Sequence, residues 1–580
     1  MGFKLSHLYA APAVNPANSK ARSIPFLNPF NLYGRVFFFS WFGFMIGFWA
    51  WYTFPPLLTH TIKHDLHLSS REVANSNIIS MCATLLVRLA SGPLCDRFGP
   101  RNLFGALLLL GSIPLGLAPL VRNATGLYVS RFFIGILGGV FVPSQVWCMG
   151  FFDDNVVGTV SGLTGGFGVA GGGITYLIMP AVYDALVAGG HTPSKAWRFT
   201  FLVPLAMVLT VAVALLVLCP DAPTGRWRDR HMVQGARDNN GGFPKGGGGC
   251  EECGDSSERT STDTPGGTTT TTTTTTTKSQ LSSPLQSKEK LPATTTTITA
   301  NDNTAPTPSS PSPSTPTTQQ PPPTPHAPIL SPQTLFHGLS YFSTFGSELA
   351  INAVLASFYS KTFPSLTQTT AANYAAMFGF LDFVARPMGG VISDLLYRFA
   401  CSRSSASSAS SSSLSSALSS SSSSSSAEKV EAAIPTCARE GRMLWYKKLW
   451  VTFCTLAAGA VLVVVGRAYP PAAAGSGNNK SEAGAIALIA LAAVFLQAGS
   501  GANYSLLPHV PDPRQVGALA GVTGAAGNLG GVVFSIVFRF MDGGEGYAKG
   551  FWVIGIVNMA LGVGLGWIPP LPAAKLKRCS

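Results

Sequence analysis

Charge is scarce in this sequence. Asp, Glu, Lys and Arg make up 11% of its 580 residues, against about 25% in a water-soluble domain. That shortage excludes an ordinary soluble chain, because the hydrophobic residues, 46% of the total, come in blocks that exceed the roughly 20 residues needed to cross a bilayer. Cysteine is too scattered for a disulfide or metal framework. Of the ten residues, Cys250-Glu-Glu-Cys253 forms a lone Cys-x-x-Cys, with no second pair to complete a four-ligand zinc site. A nucleophile–base pair, a cluster of metal ligands and a phosphate loop are also missing. The glycine-rich stretches lie inside apolar runs, unlike a dinucleotide loop. No enzyme chemistry, metal or cofactor is therefore expected.

What is present is a chain for the lipid bilayer. The apolar runs divide into twelve spans, which predicts an all-α membrane protein of twelve transmembrane helices in two pseudo-symmetric six-helix halves, with two disordered cytosolic loops. The expected layout is a cytosolic tail (1–34), a first half (35–219), a disordered loop (220–331), a second half (332–568) with a Ser-rich insert (398–447), and a cytosolic tail (569–580). No cleavable leader is evident, so span 1 is expected to target the chain itself. The formal charge of +13 does not point to nucleic acid. With both termini in the cytosol, most Lys and Arg fall on the inner side, as the positive-inside rule requires. Three arginines, Arg88, Arg131 and Arg386, lie within spans instead.

The long loop holds ten consecutive threonines, Thr268 to Thr277, and a Pro-rich tail. It cannot bury enough apolar surface to fold. A tolerated linker is the simpler reading. A regulatory loop phosphorylated by kinases, docking on nearby Lys and Arg, is the alternative.

The two halves repeat each other. Arg88-Leu-Ala-Ser-Gly92-Pro-Leu-Cys-Asp96 in span 2 matches Arg386-Pro-Met-Gly-Gly390-Val-Ile-Ser-Asp394 in span 8. Span 5 carries Gly158, Gly162, Gly165, Val169 and Gly172; span 11 carries Gly517, Gly521, Gly524, Asn528 and Gly531 at the same offsets, on one helical face. Two matches in the same order point to an internal duplication. Small residues at such spacing let helix backbones approach closely.

Arg88 precedes the span-ending Asp96 by roughly 12 Å of helix, so it lies near the middle of a hydrocarbon core about 30 Å thick. Arg386 has the same depth relative to Asp394. A charge there costs at least about 2.5–3.5 kcal/mol and generally marks a pathway or a paired site. Two cations at matching depth repel unless an anion joins them. The guanidinium fork, permanently protonated, suits a planar oxyanion or carboxylate. The competing reading is a local ion pair. It is credible for Arg386, because Asp382 lies one turn away, whereas Arg88 has no acid at three or four residues' distance.

Span 7 adds a mixed stripe of Tyr341, Phe345, Glu348 and Asn352. Tyr341 can donate to an anion, as can Asn528. Glu348, the most isolated acid inside a span, either carries a proton or serves as the fixed partner of an arginine. Asp382 is the second candidate for proton coupling.

Gly92-Pro-Leu-Cys-Asp96-Arg97-Phe-Gly99-Pro-Arg101 resembles the loop 2–3 signature of the major facilitator superfamily. "GGFGVAGGGITYLIMP", with Gly165, Gly168 and Gly172, and "GAAGNLGGVVF", with Gly524, Gly527 and Gly531, resemble the two signatures of its nitrate/nitrite porter family. "RVFFFSWFGFMIGFWAWYTFPPLL", "FSTFGSELAINAVLASFY" and "ARPMGGVISD" are most similar to its eukaryotic, fungal-type high-affinity members. The resemblance implies nitrate and nitrite as partners, proton symport at the plasma membrane, and nitrate binding by Arg88 and Arg386 with Tyr341 and Asn528. One position departs from the pattern: Val169 stands where the first signature has Asn. Losing one hydrogen bond to a charged group costs about 1.5–3 kcal/mol, which touches affinity and the preference between nitrate and nitrite. Two other readings stay open: a transporter of another small anion, nitrite alone or formate, and a nitrate sensor with little transport.

Overall fold

Twelve long helices, some of them interrupted, carry the described residues of this computed structural model. Those residues are 8–16, 18–225, 227, 331–366, 368–418, 435–469, 481–510, 515–541 and 547–572. Cys250, Cys253 and nearly all of the long Thr- and Pro-rich loop lie outside them. The first half contains α1 (Leu32–Leu57), α2 (Ser70–Phe98), α3 (Pro100–Leu120), α4 (Ala124–Phe151), α5 (Val157–Ala188) and α6 (Pro193–Leu218). The second contains α7 (Pro332–Thr362), α8 (Gln368–Phe380, resuming as Asp382–Leu418), α9 (Pro435–Ala468), α10 (Glu482–Leu506), α11 (Val516–Met541) and α12 (Ala548–Gly564). Among the described residues, ten helices are long and apolar enough to cross a membrane. Of the other two, α7 carries the polar stripe and α12 is apolar but shorter.

Local chemistry sets several boundaries. α2 starts in a capping box, in which the Ser69 hydroxyl accepts from the Glu72 amide and Glu72 accepts from Ser69 N–H, satisfying two otherwise unpaired donors. One residue, Gly99, separates α2 from α3. Its φ of +89° is a conformation that L side chains rarely adopt, and Pro100 then opens α3 with a preset φ.

Several helices are interrupted, α4, α5 and α8 among them. α4 tightens to a 3₁₀ stretch over Gly135–Val140. α5 divides between Val157–Val169 and Gly171–Ala188, and α8 divides at Leu381. Interruptions of this kind free backbone groups for other partners and often accompany functional sites. The Ser-rich insert departs from expectation. Instead of leaving the helix, the chain runs on helically through Leu418; extending a formed helix needs no new nucleus, and the Ala and Leu among the serines favour it.

Each half has its own apolar core. That of α1–α6 centres on Phe37, Phe44, Phe104, Trp147 and Trp197 and continues into α7 at Tyr341, Phe345 and Leu349. That of α7–α12 includes Leu355, Phe358, Leu496, Phe534 and Phe551. The halves meet along two related seams, α2 against α11 and α5 against α8. The backbones touch there. A Cβ on Gly521 would stand 2.7 Å from the Cα of Gly92, and one on Gly390 would collide with the Gly158 carbonyl oxygen.

Candidate functional site

The repeated Arg-x-x-x-Gly-x-x-x-Asp motif has the same geometry in both halves, and it works crosswise. Asp96, at the end of α2, accepts from the amides of Gly517 and Ala518 at 3.0 and 2.8 Å, at the start of α11. Asp394 of α8 accepts from Thr159 N and Oγ1 at 2.7 and 2.9 Å, at the start of α5. Each carboxylate therefore caps a helix of the other half, where unpaired N–H groups and the helix dipole favour negative charge. The arginines follow suit: a Cβ on Gly165 of α5 would lie 3.1 Å from Arg386 Cδ, and one on Gly524 of α11 would lie 3.4 Å from Arg88 Cδ. The glycine faces are troughs for the stems of the arginines.

The rest of the loop 2–3 motif sits at the same end. Gly92 abuts the Gly517 carbonyl. Arg97 lies over the Phe98 ring, and Arg101 donates to the Cys219 carbonyl at 2.9 Å, a cation at the C-terminus of α6.

Arg88 is fully buried. Its Nε donates to the Gly138 carbonyl at 2.9 Å, inside the 3₁₀ stretch of α4, and Nη1 reaches the Gly524 carbonyl at 3.4 Å. Its guanidinium carbon lies 4.7 Å from the centre of Phe141 and 5.3 Å from that of Phe345. Nη2 is buried with no hydrogen-bond partner, and among the described residues no carboxylate pairs with Arg88.

Arg386 is arranged differently. Nη2 donates to Glu348 Oε2 at 2.7 Å and Nε to Asp382 Oδ1 at 3.1 Å, with all three side chains buried. Nη1 points to the Tyr341 hydroxyl at 3.5 Å. The two arginines are thus not equivalent. The local ion pair anticipated for Arg386 is formed, with Glu348 as a second acid, and Arg88 is the one left uncompensated. Both arginines lie against the same ring. Each guanidinium carbon is 5.3 Å from the Phe345 ring centre, so they are no more than about twice that distance apart.

Tyr341 stacks on Phe345 with centroids 4.9 Å apart and lies nearly parallel to Phe141; Gly527 makes room for its ring. Asn528 is buried, and its Nδ2 donates back to the Gly524 carbonyl at 3.1 Å, the acceptor that it shares with Arg88. Its Oδ1 has no partner. Val169, the matching position in α5, is buried. Gly168 and Gly172 face α1, at Phe44 and at Phe48 and Tyr52, and Gly531 faces Leu349.

Three residues escaped the sequence reading. Phe141 lies under Arg88. Tyr504 meets Phe141 and Tyr341 edge-on at 5.0 and 5.1 Å. Gln145 donates to the Ser161 carbonyl at 3.3 Å beside the Gly165 trough. The amide of Gln145 within span 4 was the available signal; the two rings gave none, because aromatics are common in apolar helices.

Arg88 and Arg386 are packed against rings in this conformation. A cavity of about 80 Å³ lies by the C-terminal end of α1 and the N-terminal part of α2, lined by Trp51, Tyr52, Asn77, Arg131, Tyr176 and Asn352 among others.

Residues 40–428 match the family described as Major Facilitator Superfamily. The chain is 30% identical to Elsinochrome transporter 1 of Elsinoe fawcettii, over 98% of its own length and 99% of that relative. It is 24% identical to High affinity nitrate transporter 2.5 of Arabidopsis thaliana, over 94% of this chain and 81% of that one. Among solved structures, the proton:xylose symporter XylE gives a TM-score of 0.54 over 94% of this chain and 98% of that chain at 12% identity, a likeness of fold alone.

Proposed function

Because the chain belongs to the major facilitator superfamily, a family of membrane transporters, we propose that it imports nitrate, and nitrite with it, across the plasma membrane by proton symport. The observation that carries this reading is Arg88: a buried guanidinium with an unused donor and no acid beside it. A small planar anion supplies the missing charge and acceptors at once. Arg386, Tyr341 and Asn528 complete the binding shell, and the similarity to a relative named for nitrate supports the substrate.

The end that bears the long insert is taken as cytosolic. The crosswise caps of Asp96 and Asp394 then close the inner end, and the cavity lies on the outer side. Rocking of the halves about the arginines exchanges the two openings.

Glu348 and Asp382 give the site its coupling. With both ionised they hold Arg386, so the four charges of the site cancel in sum although neither acid is in contact with Arg88. A proton on either acid loosens Arg386 and leaves room for one negative charge. Two protons per nitrate make the loaded site net positive, which matters because an anion entering a negative-inside cell alone moves uphill by about 2.3 kcal/mol per 100 mV.

The relative named for elsinochrome favours a second reading, transport of a bulkier compound. The guanidinium of Arg88, buried with an unused Nη2, presents a fork matched to a small planar anion, which supports the smaller solute. Electrode recording in a cell without nitrate uptake of its own tests the assignment. Adding nitrate in acidic medium should evoke inward current. Competition with nitrite and formate separates the small anions, and binding without flux makes the chain a sensor.

A further inference from the structure

A third arginine stands apart from this site. Arg131, in the first turns of α4, is 5% exposed, and its Nη1 is buried with no hydrogen-bond partner among the described residues. No carboxylate among the described residues pairs with it. Its guanidinium carbon lies 5.7 Å from the Phe54 ring centre, the outer edge of an effective cation–π distance. That contact alone is a weak return for burying a permanent charge.

The surroundings are those of an anion site. Arg131 lines the outer cavity together with Tyr52, Asn77, Tyr176 and Asn352. These supply two phenolic hydroxyls and two amides, and no acid lines the cavity. The Asn77 Oδ1 is buried without a partner, so the amide is free to turn its NH₂ inward. One water needs about 10–15 Å³ of such space, and about 80 Å³ therefore takes several waters or one small polyatomic ion.

The position also suits a pathway. Along α4, Arg131 lies roughly 10 Å outward of Gly138, whose carbonyl holds Arg88. Rings on α1 span the interval, with Phe141 touching Phe44, Phe44 touching Phe48 and Phe48 touching Tyr52 at centroid distances of 5.4, 5.4 and 5.2 Å.

We propose that Arg131, Tyr52, Asn77 and Tyr176 form a second anion site in the outer vestibule, where a small planar oxyanion is held before it moves inward to Arg88. The proposal rests on the anion-transport reading above.

Nitrate titration of the purified full chain, followed by calorimetry, tests it. Wild type should bind two nitrates. Arg88→Gln should carry no nitrate current yet still bind one, and adding Arg131→Gln should abolish that binding. In recording cells, Arg131→Gln should raise the half-maximal nitrate concentration about tenfold, more than it lowers the maximal current, with partial recovery in Arg131→Lys. Tyr176→Phe, a milder change, should raise it two- to threefold, about what loss of one hydrogen bond gives, and guards against misfolding of the first variant. Nitrate transport with a single binding site that Arg88→Gln removes, or unchanged half-maximal concentrations in Arg131→Gln and Tyr176→Phe, overturns the vestibule site alone. A wild-type chain that neither binds nor moves nitrate, nitrite or formate overturns the transport reading and this site with it.

Discussion

Asp394 accepts hydrogen bonds from both the amide and the hydroxyl of Thr159, at 2.7 and 2.9 Å, and so ties α8 of one half to the first turn of α5 in the other. Its second oxygen accepts from Lys447 Nζ at 3.1 Å, where both side chains are buried. Asp394→Ala therefore loses a cap and also strands an ammonium. Removing one partner of a buried pair costs about 3–5 kcal/mol, and thermal unfolding in detergent should fall accordingly. The double variant Asp394→Ala/Lys447→Met should regain much of that loss without restoring the cap. A single variant as stable as wild type contradicts the seam described here.

Arg88→Lys should abolish nitrate current while leaving the fold intact. A lysine has three donors on a point charge and no planar fork. It cannot keep the Gly138 and Gly524 carbonyls and also present two parallel donors to an anion. Loss of a charge-assisted pair of bonds, about 1.5–3 kcal/mol each, predicts a fall in nitrate affinity of at least tenfold in binding titrations. Undiminished current in Arg88→Lys removes the arginine from the substrate's path.

Much of this site was legible before any coordinates. The Arg-x-x-x-Gly-x-x-x-Asp repeat and the paired glycine faces have fixed helical offsets, and offsets survive folding. The crosswise pairing was not legible: which half's glycines receive which half's arginine depends on helix packing between residues 235 to 436 positions apart, and no local period encodes it. Arg386 illustrates the limit. Asp382, one turn away, was visible as a partner, and Glu348 was read as either a proton carrier or the fixed partner of an arginine, but which arginine it meets is a contact between helices, about which sequence spacing says nothing. Phe141 and Phe345 differ for a similar reason. The second stood on a polar stripe that drew the eye; the first is one more aromatic in an apolar helix. The Ser-rich insert was read as irregular from composition, yet it begins as a continuation of a helix already nucleated in the membrane.

Glu348→Gln should separate anion flux from proton flux. The glutamine keeps a hydrogen-bond acceptor for Arg386 but cannot ionise, so Arg386 retains Asp382 as its one charged partner. In recordings across external pH, wild-type nitrate current should grow as the medium is acidified, and the Glu348→Gln current should vary far less. The double variant with Asp382→Asn leaves the guanidinium buried without a counter-charge and should lower stability by about 3–5 kcal/mol, a loss that nitrate partly restores. An unaltered pH profile in Glu348→Gln assigns the coupling elsewhere.

Val169→Asn should improve the transporter. Val169 stands four residues after Gly165, as Asn528 stands four after Gly524, and Asn528 donates to that glycine's carbonyl while sharing it with Arg88. An asparagine at 169 has the equivalent acceptor in Gly165, next to the stem of Arg386, and places a second amide beside the arginines. Without an anion its remaining polar atoms are buried and unpaired, which costs about 1–3 kcal/mol, so the empty protein should melt lower than wild type. With nitrate bound the amide gains a charged partner, and binding to the folded state alone adds stability by mass action. The nitrate-induced rise in melting temperature should therefore be larger than in wild type, and the half-maximal nitrate concentration for current should drop about tenfold, the equivalent of one such bond. A variant whose melting responds to nitrate no more than wild type does, or whose half-maximal concentration rises, places position 169 away from the anion.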